Sequence, residues 1–433
     1  VKATVKAANT IEAIIQPRYG RIICQIRFQF WGSLAVFFGI CLHLLFRELR
    51  IIDFLINRTG FQQVRINGLD GPYTQILIDS RPVFSALSGV YGLEQIPASM
   101  IERVEVMRGG GSALFGSSAI AGTINIITKE PLRNSGQLSH TITSLGGSSS
   151  FDNNTSLNAS LVTDDHRAGL YIFGQNRYRS GYDYDGDGFT ELPKLKNQTV
   201  GFRSYLKTST YSKLTFEYHH MQEFRRGGDM LNRPPHEAHI AEQLQHSIDG
   251  GSLKFDYFSP DEKNRLSVFA SAANTDRDSY YGPGNDPLKA YGKTTDLTAM
   301  GGAQYVHTFD KCFFMPSDLT AGLEYNRDRL KDNMWGYDRH TDQTVNIYSA
   351  FLQNEWKNDR WGILIGGRLD KHNMVDNVIF SPRANLRFNP TQNINLRLSY
   401  SSGFRAPQAF DEDMHIEKLG GTLVIDKEYT VGC

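Results

Sequence analysis

The sequence predicts an all-β protein, and three observations predict it. Segments with strict two-residue alternation of apolar and polar side chains recur from about residue 137 onward. Short turns alternate with long polar loops between them, and the 433 residues include 20 Tyr, 26 Phe and 40 Gly at a mean hydropathy of −0.38. A low hydropathy fits strands with one apolar face, because every second residue stays polar. Basic and acidic residues balance at 46 each, so there is no electrostatic reason to expect a nucleic-acid partner. Cys24, Cys41, Cys312 and Cys433 have neither zinc-ligand spacing nor that of a disulfide framework.

Taken in order, residues 1–58 do not read like the rest. Residues 30–46, FWGSLAVFFGICLHLLF, are apolar for 17 residues between Arg27 and Arg47, near the minimum for a membrane-spanning helix. Three readings stand: a helical anchor, a signal-peptide core behind an over-long basic region, or foreign sequence such as a wrong reading frame upstream of Thr59.

Two informative stretches follow, RINGLDGPYTQILIDSRPVF at residues 65–84 and IERVEVMRGGGSALFGSSAIAGTINIITKEP at residues 101–131. In the second, β-branched residues interleaved with charges of both signs from Ile101 to Arg108 predict a strand in wet surroundings. Gly109, Gly110 and Gly111 then allow a sharp turn before a second apolar strand. The glycine run lacks both the Lys-Ser/Thr ending of a P-loop and the spacing of a dinucleotide site.

From residue 137 the alternation is plain. Ile394, Leu396, Leu398 and Tyr400 share one face, with Asn393, Asn395, Arg397 and Ser399 on the other. Leu319, Ala321, Leu323 and Tyr325 alternate with Thr320, Gly322, Glu324 and Asn326; Leu253, Phe255 and Tyr257 with Ser252, Lys254 and Asp256; Ala384, Leu386 and Phe388 with Arg383, Asn385 and Arg387. Turn signals divide the region into about 13 candidate strands, with long loops expected near residues 223–243 and 279–292. Periodicity does not separate a soluble sandwich, whose apolar faces meet in a core, from a membrane barrel, whose apolar faces meet lipid.

The stretches at residues 65–84 and 101–131 closely resemble the second half of the plug domain of TonB-dependent outer-membrane receptors, Bacteroidetes forms especially. Ser401-Ser402-Gly403-Phe404-Arg405-Ala406-Pro407 resembles the family's FRAP/YRAP barrel motif, carried also by some heme receptors; the companion Asn-Pro-Asp/Asn-Leu box is absent from this chain. The resemblance implies an all-β membrane barrel of roughly 22 strands with a small α/β plug domain inside the lumen. On it, residues 59–132 are part of the plug, residues 133–418 the N-terminal portion of the barrel, and residues 419–433 an atypical tail. The barrel is therefore expected to be incomplete and the chain a fragment. The foreign-frame reading of residues 1–58 is then preferred, and neither a TonB box nor a normal cleavage site is identified. The resemblance further implies a location in the outer membrane of a Gram-negative bacterium, in contact with its lipid. It implies uptake, not catalysis, of a ferric siderophore or heme, with cobalamin as the alternative, driven by the TonB–ExbB–ExbD complex without a required cofactor.

Candidate site residues divide into three groups. Asp183, Asp185 and Asp187 precede Gly188 as in the first half of an EF-hand loop, with Glu191 at the ninth position but Lys194 where a bidentate Glu belongs. Cobalamin receptors of the family hold Ca²⁺ in Asp-rich loops of the early barrel, so a calcium loop and a solvated acidic turn stand as equal readings. For ligand contact, Arg225 and Arg226 form a guanidinium pair expected in an external loop, and Tyr73 and Phe84 belong to the plug stretch. His236 and His239, with His246, His219 and His220, offer imidazoles for an iron-bearing ligand, although solvated surface histidines are the commoner case. His236-Glu237 is no zinc-protease motif, since position 240 is Ile240. In the plug, Glu102, Arg103, Glu105 and Arg108 are expected to meet the lumen-facing charges Arg383, Arg387 and Arg397 through individually weak ion pairs. Two other classes compete with uptake: a non-transporting adhesion barrel and a loop-borne metallohydrolase.

Overall fold

The computed structural model describes residues 10–12, 23–30, 52–56, 62–66, 69, 73–82, 97–108, 116, 119–147, 149–283, 291–335 and 339–404. Phe84, the run at residues 31–46, Gly109 to Gly111 and Arg405 to Pro407 lie outside them. Near the N-terminus, β1 (Thr10–Glu12) and β2 (Ile23–Phe30) form a hairpin, and β3 (Ile52–Ile56) pairs with β4 (Gln62–Ile66). A four-stranded sheet follows, made of β5 (Thr74–Ile78), β6 (Arg81–Pro82), β7 (Ile101–Arg108) and β8 (Gly122–Thr128) in the order β6-β5-β8-β7. β5 and β8 run parallel and β7 and β8 antiparallel, so the strand predicted at residues 101–108 is present and lies at a sheet edge. Its charged flank is exposed, as the interleaved charges require. Ile66, Ala121, Ile124 and Ile126 form the small core, each buried Ile contributing about 1.5–3 kcal/mol. Among the described residues this domain holds no α-helix; a 3-10 turn spans Ala98–Met100.

Thirteen strands then form one continuous antiparallel wall: β9 (Ser135–Ser144), β10 (Phe151–Val162), β11 (Ala168–Arg179), β12 (Lys194–Ser209), β13 (Ser212–Gly228), β14 (Ile240–Phe258), β15 (Asn264–Pro283), β16 (Tyr291–Cys312), β17 (Met315–Met334), β18 (Arg339–Lys357), β19 (Trp361–His372), β20 (Ile379–Thr391) and β21 (Ile394–Ser401). Each pairs with its chain neighbour, and β2 adds to the far side of β21. Short connections at residues 163–167, 210–211, 259–263, 313–314, 358–360 and 392–393 mark one end. Those at residues 145–150, 180–193, 229–239, 284–290, 335–338 and 373–378, longer in all but one case, mark the other.

The two expected long loops are shorter than the sequence suggested. β13 runs to Gly228 and β14 starts at Ile240, while β15 and β16 leave only residues 284–290 between them. Strands of 17 to 22 residues such as β13 and β16 exceed the roughly 9–11 residues needed to cross a bilayer. Their outer ends continue as paired strand beyond the apolar zone, with polar residues that read as loop.

Burial decides between sandwich and barrel. The apolar face of the wall is open, with Leu323 66%, Tyr348 61%, Ile365 57% and Phe380 60% exposed, whereas the sandwich would have hidden it. The polar face is the buried one: Arg203, Glu223, His246, Arg277, Asp332, Arg368 and Asp370 all lie there with little exposure. The small domain touches both β12 and β19, through Arg203 and Arg368, so the wall curves round it. No helix among the described residues is long and apolar enough to cross a membrane; the strands do the crossing.

The sheet ends at β1 and β9, which are not paired with each other among the described residues, and every residue of β9 is exposed. A strand edge in lipid leaves backbone groups unsatisfied at several kcal/mol each. The 433-residue chain expressed by itself is therefore expected to aggregate. Electrophoresis of refolded, unboiled protein should show no compact heat-modifiable band, and a protease-resistant band of that kind would mean that these strands close a smaller barrel.

Candidate functional site

At the long-loop end, residues 180–193 bring Asp183, Asp185, Asp187 and Glu191 together, one oxygen from each lying within 4.8 Å of the others. That is the spread allowed to oxygens held about 2.4 Å from one ion. Positive φ at Gly186 (79°) and Gly188 (91°) lets the backbone fold inward. The loop also satisfies itself: Asp183 accepts from the amides of Gly186 (2.7 Å) and Gly188 (2.9 Å), Asp187 from Phe189 (2.8 Å), and Glu191 from Tyr184. A hard-oxygen donor set of this kind suits Ca²⁺ rather than a softer metal.

Arg225 and Arg226 are not in a loop. They close β13, 2% and 1% exposed. Arg225 pairs with Glu223 at 2.6 Å, and Arg226 donates to the carbonyls of Gly227 and Asp229 at 2.5 and 3.1 Å. Both guanidinium groups are buried and bonded close to their own backbone, so the expectation of a pair in an external loop is corrected to a pair on a strand. The cause is the unforeseen length of β13, which turns a loop-like RRGG segment into a packed strand end.

The histidines separate. His219 and His220 are consecutive in a strand and face opposite sides; His220 pairs with Asp249 at 2.8 Å, while the ring of His219 packs over Gly250. His246 is buried near Glu223 at 3.9 Å. Only His236 and His239 lie in loop 229–239. His236 bonds the Tyr291 hydroxyl at 2.9 Å, and His239 bonds Asp229 at 2.6 Å with most of its ring in solvent. Burial pushes the Asp229 carboxyl up, but the bonds from His239 and the Ile240 amide outweigh it and leave the group below its ordinary range. This loop is clamped at its base and presents His239 outward. Tyr73, 40% exposed, caps the end of β5 remote from residues 79 and 80, and its carbonyl accepts from the amides of Ile120 and Ala121.

The contacts expected between domain and wall form elsewhere. Arg103 pairs with Glu105 on its own strand at 2.8 Å, and Glu102 is exposed. Arg387 donates to the Asn358 carbonyl and Arg397 to Asn395. Arg383 alone of the three arginines has a described contact with the small domain, through Met107 sulfur at 3.9 Å; the Arg108 side chain is outside the description. A pair two residues apart on one strand face costs less ordering entropy than a tertiary pair, which favours the local partners.

Arg203 of β12 makes the main connection, which the sequence did not single out. It meets Asp79 at 2.6 Å, Glu130 at 3.3 Å and Glu217 at 3.0 Å, and donates to the Thr128 hydroxyl. Asp79 sits in a two-residue turn with Ser80, both at positive φ (48° and 66°), the geometry of a hairpin turn. Lys213 adds a bond to Glu130 at 3.0 Å, and Met100 packs on Tyr171 and Phe173. At a second seat, Arg368 is held by Glu324 (2.7 Å) and Asp370 (2.8 Å) over the Phe351 ring. A Cβ on Gly116 would come within 3.1 Å of its guanidinium, and Gly116 has φ +78°.

A wall of strands with an apolar outer face, a charged inner face and a folded domain seated inside by ion pairs defines a plugged outer-membrane barrel. The chain belongs to the TonB-dependent receptor family: the model of the TonB dependent receptor-like β-barrel matches residues 125–421, and that of the TonB-dependent receptor plug domain matches residues 56–123. The vitamin B12 transporter BtuB of Vibrio vulnificus is 24% identical over 365 residues, 80% of this chain and 54% of that protein. The iron-regulated outer membrane virulence protein of Vibrio cholerae is 27% identical over 366 residues, 80% and 51% of the two. Among solved structures, the siderophore receptor PirA from Acinetobacter baumannii superposes with a TM-score of 0.70 at 19% identity, covering 82% of this chain and 57% of that one. The ferric enterobactin receptor PfeA from Pseudomonas aeruginosa, in a mutant form, gives 0.68 at 18%, covering 84% and 60%. The chain spans about half the length of the curated relatives it matches. Membership of this family places it in the outer membrane of a Gram-negative bacterium.

Proposed function

We propose that this chain is the plug and part of the barrel of a receptor that imports a ferric siderophore or heme, energised by the TonB–ExbB–ExbD complex. The observation that carries the reading is the plug itself, folded within a charged wall and tied to it by ion pairs instead of a continuous apolar core. Such a seam holds a closed state yet leaves a second arrangement within a few kcal/mol, which ligand and force can bias. The names of the similar proteins support iron uptake, among them two siderophore receptors. We read the protein as a receptor and not an enzyme, because a fixed water-activating site is not what the plug provides. Growth of an iron-starved receptor-deficient strain on ferric siderophores or heme, restored by the full-length gene, tests the reading. Restoration by none of them, with cobalamin-dependent growth restored instead, would move it to the second ligand.

Cobalamin is that second ligand for two reasons: the similarity to a vitamin B12 transporter, and the acidic loop. In this reading Asp183, Asp185, Asp187 and Glu191 hold Ca²⁺, which would neutralise the clustered carboxylates and stiffen the loop that meets the ligand. Calcium should protect residues 180–193 from protease with a midpoint on the order of 0.1–1 mM, the range of extracellular sites. Asp185→Ala with Asp187→Ala should abolish that protection, and equal cleavage with calcium or chelator in the unmodified receptor would leave the loop a plain acidic turn.

A further inference from the structure

Arg203 has carboxylates on both sides of the seam between plug and wall, and each carboxylate also has a hydrogen-bond donor on its own side, while the Glu217 oxygen nearest Arg203 meets it as an ion pair at 3.0 Å without a hydrogen bond. On the plug, Asp79 accepts from the Thr128 amide (3.0 Å) and hydroxyl (2.6 Å). On the wall, Glu217 lies directly across from Arg203 in the β12–β13 register, and its other oxygen accepts from Ser252 at 2.9 Å. All three side chains are largely buried, at 9%, 12% and 13% exposure for Arg203, Asp79 and Glu217. Opening such a seam would ordinarily strand a buried charge, which is the costly outcome. Here, when Asp79 leaves, Arg203 keeps Glu217 and Asp79 keeps Thr128.

We propose that Arg203, Asp79 and Glu217 form a release catch for the plug, in which Glu217 is the receiving partner that takes over Arg203 as Asp79 departs. Arg203 is a positioning residue that acts through the plug. The signs of the charges make the catch directional. Asp79 and Glu217 repel one another, and only the guanidinium between them makes their approach favourable. Removing the plug carboxylate weakens the closed state alone. Removing the wall carboxylate leaves the closed pair intact, strengthens the hold of Arg203 on Asp79, and leaves the guanidinium only the more exposed and more distant Glu130 (3.3 Å) after release. The two isosteric changes should therefore act in opposite directions. The inference rests on the uptake reading for its consequence, but not for its test.

The test compares Asp79→Asn with Glu217→Gln in the receptor expressed from its full-length gene, at matched surface abundance and heat-modifiability. Vancomycin, too large for ordinary porins, reports passive entry in cells lacking TonB. Asp79→Asn should raise vancomycin entry by about tenfold, the effect of roughly 1.4 kcal/mol lost from the closed state. Glu217→Gln should leave entry at or below that of the unmodified receptor. With TonB present, accumulation of whichever of ferric enterobactin, heme and cobalamin the unmodified receptor takes up should be slowed about five- to tenfold by Glu217→Gln, through its effect on the opening step. Equal leakage in both variants, or leakage in neither, overturns the catch. Absence of any accumulation by the unmodified receptor refutes the uptake reading and leaves the vancomycin contrast to decide the catch by itself.

Discussion

Replacing Arg203 by alanine should unseat the plug. The substitution leaves Asp79 and Glu217 facing each other with no cation between them, and removes one of the two cations that bond Glu130. Breaking a buried ion pair by removing one partner costs about 3–5 kcal/mol, because the remaining charge is uncompensated. Much of that cost falls on the seam and not on the barrel, whose strands stay paired on either side of residue 203. Hydrogen exchange should thus become faster across β5, β8 and residues 129–134 while β14 to β18 keep their protection. An even loss of protection through the whole chain would assign Arg203 a role in barrel folding, and no change would remove it as an anchor. Arg203→Lys should recover only part of the effect, since an ammonium does not reproduce the fork that reaches several acceptors at once.

Arg368→Ala should have an effect of similar size but a different location. Arg368 is 1% exposed and Asp370 fully buried, with Glu324 beside them on β17. Its loss strands two carboxylates in the wall and removes the surface against which Gly116 rests. The expected cost is again about 3–5 kcal/mol, read as a lower temperature for loss of the heat-modifiable band, with β17 to β19 deprotected first. Arg368→Ala combined with Glu324→Gln and Asp370→Asn should restore part of the loss, because no uncompensated charge then remains. A triple variant less stable than the single one would show that packing over Phe351, and not charge, is what Arg368 supplies.

The wall and the plug stretch were legible in the sequence for the same reason: each strand announces itself through local alternation. Leu323, Tyr325, Leu386 and Leu398 fall on the outer face as their spacing required. The β7 strand and its exposure followed from charges set between β-branched residues. What local pattern does not carry is strand length beyond the bilayer, and that is why Arg225 and Arg226 were expected in a loop. Nor does it carry tertiary register. Asp79 and Arg203 are 124 positions apart, and nothing in either neighbourhood marks the other, whereas Glu102 to Arg108 drew attention by density of charge alone. The acidic loop lies between these cases, since its carboxylates converge as their alternate spacing implied. One strand was readable but missed. In β2, Cys24, Ile26, Phe28 and Phe30 alternate with Gln25, Arg27 and Gln29, a signal obscured by the apolar run that follows it.

On the proposed function, the plug is moved by energy delivered from the inner membrane. The most direct measurement is accumulation of labelled ferric siderophore, heme and cobalamin by cells expressing the full-length receptor, with TonB present and with TonB deleted. At least one of these ligands should bind at the surface of both strains but be concentrated inside only the strain with TonB, and collapse of the proton gradient should abolish the difference. Equal accumulation in the two strains would contradict the proposed function and make the protein a passive pore, while surface binding without accumulation in either would make it an adhesion barrel.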